Sequence, residues 1–283
     1  MWSIDNKVSD EKAEYRFEYS AGYINVHRVD DEHGPIGRYV ISEYIVVTDR
    51  KDEANDINNA FLTYLATASD AAIFDYTFYN GHGTSNRDTY ARLLMSVCMK
   101  LYGPEEGLGR ATRCLDWLNT TDFFEAPAST RFHDACAGGL VAHTLNVVKQ
   151  SIRLAISSAF NSKVNPYECA LTALVHDWCK IRRYESYTKN VKDDSTGKWA
   201  SVVAYRTTDT MPVPLGHGEA SLWMAQKFFP MSIKMSCAIR WHMGRWRCPD
   251  DDINDLQYAN ETFPEVHLLQ FADQLSITSY IDT

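Results

Sequence analysis

The stretch ECALTALVHDWCKI, Glu168 to Ile181, carries Ala170, Leu171, Ala173, Leu174 and Val175 in a spacing that makes a helix apolar nearly all round. It runs directly into the ionisable pair His176-Asp177. Burying two such neighbours costs several kcal/mol unless they are paired or bound to a metal. A second His-Asp dipeptide, His133-Asp134, lies in the loop-like ASTRFHDACAGG and lacks that apolar context. Lys180 follows Asp177 by three residues and His176 by four, on the same helical face. There it is either a cation that can meet a phosphate or a surface lysine near a helix C-terminus.

Working outward, further ionisable residues sit on apolar helical patterns. GGLVAHTLNVV places His143 in the first turns of one helix, LGHGEAS puts His217 at the start of another, and AIRWHMG puts His242 at the end of a third. Asp273 falls inside VHLLQFADQLSI, where Val266, Leu269, Ala272 and Leu275 line one side. A single histidine on such a face is ordinarily a satisfied core residue. Several converging ones suit a metal held between facing helices.

The periodicity predicts helices over 88–101, 109–119, 138–160, 166–181, 217–229, 231–243 and 264–278, with breaks at Asn165-Pro166 and Phe229-Pro230. Residues 185–207 read as two strands joined by DDSTG, a β-hairpin inserted into the bundle. The first fifty residues read as β: Tyr15, Phe17 and Tyr19 alternate, and the runs Tyr23 to Val29 and Arg38 to Val47 are rich in β-branched and aromatic residues. A helix over Glu53 to Ala66 and a strand over Ala71 to Tyr79 complete a small α+β segment, 1–85, ahead of a helical domain, 86–283. The fold class expected is therefore mainly α.

The 283 residues, 45% hydrophobic and 23% charged, have the composition of an ordinary globular protein of one large or two modest domains. The formal charge of −9 argues against a basic nucleic-acid surface, so long nucleic acid is disfavoured as a partner. A small anionic substrate needs positive charge supplied locally. Basic residues gather only as KIRR at 180–183 and as Lys189, Lys192 and Lys198 around the hairpin. No run approaches the eighteen or so apolar residues of a membrane span, and the polar start has no signal-peptide core. Seven cysteines without a CxxC pair fit reduced thiols, and a cytoplasmic location is expected.

Taken in order, His143, His176-Asp177, His217, His242 and Asp273 resemble the H…HD…H…H…D signature of the HD-domain superfamily of metal-dependent phosphohydrolases. The resemblance spans about 130–278. RFHDACAGGLVAHTLNVV is similar to the entry motif of the branch that includes bacterial 3′–5′ exoribonucleases and relaxase-associated HD proteins, LVHDWCKI to the HD-x-x-K helix, and FADQL to the terminal acidic helix. Residues 1–80 have no counterpart in it.

The resemblance implies one metal on His143, His176, Asp177 and Asp273, and a second sharing Asp177 and adding His217 and His242. Four histidines and two carboxylates favour Mn, Fe, Co, Ni or Zn over Mg. Lys180 would bind or polarise the phosphoryl oxygen. Around these stations His133 is a candidate phosphate contact, Arg240 and Arg245 flank His242 as candidate cations, and Trp241 and Trp246 are candidates to stack on a base. The implied activity is hydrolysis of a phosphate ester of a nucleotide, cyclic nucleotide or short oligonucleotide. The alternatives are a 3′–5′ exonuclease, a di-iron oxygenase on the same ligands, and an inert binding module.

Overall fold

A computed structural model describes five strands between residues 8 and 47 and then residues 85–278, apart from 158, 161–162, 193–194, 210–212 and 247. The helix expected over Glu53 to Ala66 and the strand over Ala71 to Tyr79 lie outside the described residues. The chain divides into two compact units, Met1–Leu115 and Asp116–Thr283, each described by itself.

The first unit holds an antiparallel meander of β1 (Val8–Asp10), β2 (Ala13–Ser20), β3 (Tyr23–Arg28), β4 (Gly37–Val40) and β5 (Ile45–Val47), paired in chain order. The run expected as one strand from Arg38 to Val47 is two, β4 and β5, which pair back with Arg38 opposite Val47 and Val40 opposite Ile45. β-branched and aromatic residues favour strand on both sides of a reversal, which hides it from composition. Helix α1 (Asn86–Tyr102) follows, capped by Ser85, whose hydroxyl accepts from the Asp88 amide. Next comes α2 (Pro104–Asn119), which starts five residues ahead of the expected 109 because proline suits the first helical position.

The second unit contains α3 (Gly139–Ala155), α4 (Pro166–Val175), β6 (Tyr184–Lys192), β7 (Trp199–Thr207), α5 (His217–Ala225), α6 (Ile233–Trp241), α7 (Ile253–Thr262) and α8 (Pro264–Thr278). The described residues are mainly helical. Helix α3 packs on α4 and α8, α6 packs on α4, α5 and α8, and Val148, Leu171, Leu174, Ile239, Val266 and Leu269 are buried. β6 and β7 form the expected hairpin, Tyr184 opposite Thr207 through Lys192 opposite Trp199.

Two differences from expectation matter for the site. The helix expected to run from 166 to 181 stops at Val175, with His176 as its C-cap and only a 3₁₀ turn at Trp178–Lys180 beyond it. Within that turn the buried Trp178 ring packs on Trp117, Phe228 and Phe229. Helix α7 was not expected, because INDLQYANET buries only Leu256 and Ala259 and has little apolar periodicity.

Candidate metal centre

Helix α4 begins with Asn165, whose Oδ1 accepts from the Tyr167 amide at 2.9 Å, and Pro166 stands at its first position. Its last carbonyls have no intrahelical donor. His176 supplies one: its Nδ1 lies 2.7 Å from the Ala173 carbonyl. A carbonyl can only accept, so Nδ1 carries the proton and Nε2 keeps a free lone pair. His242, the C-cap of α6, repeats the arrangement with Nδ1 2.7 Å from the Ile239 carbonyl. Two helix C-termini thus deliver two imidazoles in one tautomer.

The other two rings are held by side chains. Ser276 donates its hydroxyl proton to the Asp273 carbonyl at 2.7 Å, leaving its oxygen to accept from His143 Nδ1 at 3.3 Å. His217 Nδ1 lies 3.3 Å from Cys179 Sγ. The Cys179 amide in turn donates to Ser221 Oγ at 3.0 Å and docks the 3₁₀ turn on α5.

All four Nε2 atoms converge on Asp177, which is 3% exposed. His143 and His176 lie 3.4 Å from Oδ2, and His217 and His242 lie 2.9 and 3.7 Å from Oδ1. His143 Nε2 is also 3.1 Å from Asp273 Oδ1, and Lys180 Nζ is 2.6 Å from Asp177 Oδ2. His176 Nε2 and His242 Nε2 are buried and make no hydrogen bond among the described residues. A proton or a metal ion between these nitrogens and the carboxylate oxygens, 3.4 to 3.7 Å apart, would satisfy both. Imidazoles whose outer nitrogens are already tied to carbonyl, hydroxyl or thiol groups are the arrangement that metal-ligating histidines adopt. His143, His176 and Asp177 form one group that could hold a metal ion, and Asp177, Cys179 and His217 form another.

The charges are mutually supported. Burial works against ionisation at Asp177, yet Lys180, His176 and His143 hold its carboxyl well below the usual range. Asp273 is likewise depressed against burial, chiefly by His143. Burial also opposes the His143 cation, but hydrogen bonds to Asp177 and Asp273 push it up to about 9. Burial lowers His217.

A cavity of about 620 Å³ opens over this centre, lined by His133, His143, Asp177, Lys180, His217 and Asp273 among others. The ring of His133 lies against that of His143, centroids 4.8 Å apart, and its Nε2 is buried without a hydrogen-bond partner among the described residues. Trp241 lines the cavity, but it is 6% exposed and the Arg240 guanidinium lies over its ring, which leaves little surface for stacking. Arg240 is engaged by Glu219 Oε1 at 3.0 Å and Asp252 Oδ2 at 3.2 Å. Arg245 pairs with Asp250 and the Cys248 carbonyl and does not line the cavity, whereas Trp246 does and is 70% exposed. Sequence reasoning missed Cys179, Tyr184 and Phe132 as cavity residues and singled out Arg183 only as part of the basic KIRR cluster. Cys179 and Arg183 stood in HDWCKIRR; Phe132 and Tyr184 carried no signal beyond adjacency.

Close backbone approach explains the LGHGEAS glycine at 218, where a Cβ would overlap the Arg240 carbonyl as α5 meets α6. A Gly218→Ala variant is therefore expected to lose about 1–3 kcal/mol by overpacking and to shift the adjacent His217. Urea unfolding together with metal titration would read both effects; unchanged stability and unchanged metal affinity would contradict this account.

Comparisons of this chain with protein-family models, with curated proteins and with solved structures give no match.

Proposed function

We propose that this chain is a metal-dependent phosphohydrolase or phosphodiesterase of the HD-domain type, acting on a phosphate ester of a nucleotide, cyclic nucleotide or short oligonucleotide. The observation that carries the reading is the set of four imidazoles with restrained outer nitrogens converging on one buried carboxylate, Asp177, beneath a cavity. His143, His176, Asp177 and Asp273 would hold one divalent transition metal, and Asp177, His217 and His242 a second. Such a metal supplies Lewis-acid charge to a phosphoryl oxygen and lowers the pKa of a coordinated water.

The chain's own residues perform the remaining tasks. Asp177 fixes the site through both carboxylate oxygens. Lys180, held by Asp177 at the cavity wall, places its ammonium beside the centre, where it neutralises charge building on the phosphoryl group. His133 offers Nε2 as a hydrogen-bonding contact to a phosphate oxygen. The net charge of −9 does not oppose this chemistry, because the attraction for an anion is local to the metals and Lys180.

Metal analysis of the purified protein, followed by a screen of phosphomonoesters, nucleotides, cyclic nucleotides and oligonucleotides with added Mn, Ni or Mg, tests the reading. The expected result is about one or two bound transition ions per chain and turnover of one small phosphorylated class. Metal-independent turnover, or turnover that requires oxygen and is lost under anaerobic conditions, would overturn it.

A further inference from the structure

Among the described residues, three lysine or arginine side chains line the cavity: Lys180, Arg183 and Arg240. Two are neutralised inside the protein, Lys180 by Asp177 and Arg240 by Glu219 and Asp252. The half-buried Arg183 guanidinium has no hydrogen bond or ion pair among the described residues.

Its backbone is nevertheless tightly placed. The Arg183 amide donates to the Lys180 carbonyl at 3.1 Å, and its own carbonyl accepts from the Thr208 amide at 2.9 Å at the foot of the β6–β7 hairpin. The preceding residue, Arg182, adopts a left-handed backbone with φ of 57°, unfavourable for a residue with a Cβ. That turn is secured by the Arg182 amide donating to Asp122 Oδ1 at 2.8 Å and its guanidinium donating to the Thr120 carbonyl at 2.9 Å. The two adjacent arginines therefore separate: Arg182 anchors the turn, and Arg183 lines the cavity unpaired among the described residues.

A half-buried arginine held in place without a counter-ion among the described residues, beside a centre that already has Lys180, suits an anionic group other than the one that the proposed metals would bind. We propose that Arg183 forms a second anion subsite, so that the preferred substrate carries a second phosphoryl group besides the one hydrolysed. A guanidinium fits a phosphoryl group through paired N–H donors, which a lysine ammonium does not reproduce. This inference rests on the phosphate-ester reading above and narrows its substrate class to bisphosphorylated or diphosphate compounds.

Calorimetric titration of the metal-loaded full chain with inorganic phosphate and with methylenediphosphonate, a diphosphate mimic that cannot be hydrolysed, tests it. Wild-type protein is expected to bind the diphosphonate at least about tenfold tighter than phosphate. Arg183→Gln is expected to reduce that preference to under about threefold, with phosphate affinity and metal content unchanged, and Arg183→Lys to fall between. Measuring both anions on each protein cancels chelation of the metal by the diphosphonate, and circular dichroism checks folding. An unchanged preference in Arg183→Gln would overturn the second subsite, as would an equal loss for both anions, which would place Arg183 on the scissile group. Failure of both anions to bind wild-type protein would overturn the phosphate-ester reading itself, and the subsite with it.

Discussion

On the proposed function, an Asp177→Ala variant is expected to lose metal binding and at least about a thousandfold of hydrolytic activity. No other side chain in the site meets so many partners: Oδ2 faces His143, His176 and Lys180, and Oδ1 faces His217 and His242. Removing it takes one ligand from both candidate metal groups at once. It also strands the Lys180 ammonium, 12% exposed at its side chain, without its counter-ion. Breaking one side of a buried pair destabilises by about 3–5 kcal/mol, so the metal-free variant is expected to unfold at clearly lower urea concentration than metal-free wild type. Asp177→Asn preserves the side-chain volume and separates the electrostatic loss from the packing loss. Full metal occupancy or activity in either variant would remove Asp177 from the centre of the scheme.

Metal removal is the second large effect. A ligand that binds only the folded state stabilises by RT ln(1 + [L]/Kd), about 4 kcal/mol at a thousand times Kd. For a domain of this size that is a fall in Tm of roughly 10 °C on chelation. The increment is expected to depend on pH in a definite direction. In the metal-free protein His143 is raised from 6.5 to about 9, so its ion pairs with Asp177 and Asp273 contribute in full below 6.5 and are lost as pH rises through about 9. The depressed carboxyls of Asp177 and Asp273 contribute above the ordinary carboxylate range and lose that contribution only in acid. Metal must displace the His143 proton, so apparent affinity should climb by up to about tenfold per pH unit between 6.5 and 9. Thermal melts with and without chelator at pH 6.5 and pH 9 measure this. A larger metal increment at the lower pH would contradict the assignment of His143 as a ligand.

Much of the bundle could be read from local pattern. Helix α8 spans 264–278 as the spacing of Val266, Leu269, Ala272 and Leu275 predicts, and the hairpin lies within one residue of its expected limits. Helix α4 is shorter than its pattern predicts, and the 3₁₀ turn beyond it carries a Trp178 ring that packs on Phe228 and Phe229, fifty residues away, a contact that local pattern does not report. No described helix is long and apolar enough to cross a membrane.

The site divides the same way. The chain order His143, His176-Asp177, His217, His242, Asp273 was plain in the sequence, since each falls on an apolar helical pattern where an ionisable group needs a reason. Which nitrogen each ring presents was not, because it depends on the Ala173 and Ile239 carbonyls, Ser276 and Cys179. Nor could sequence distinguish Arg240, Arg245, Arg182 and Arg183, four arginines of equal charge near the same motifs. Tertiary packing ties the first two to Glu219, Asp252 and Asp250, folds the third against Thr120 and Asp122, and leaves the fourth at the cavity without a partner among the described residues. Residue type and spacing determine which groups are forced into a helical core. Their remaining valences for a ligand are determined only by which distant carbonyls and carboxylates reach them first.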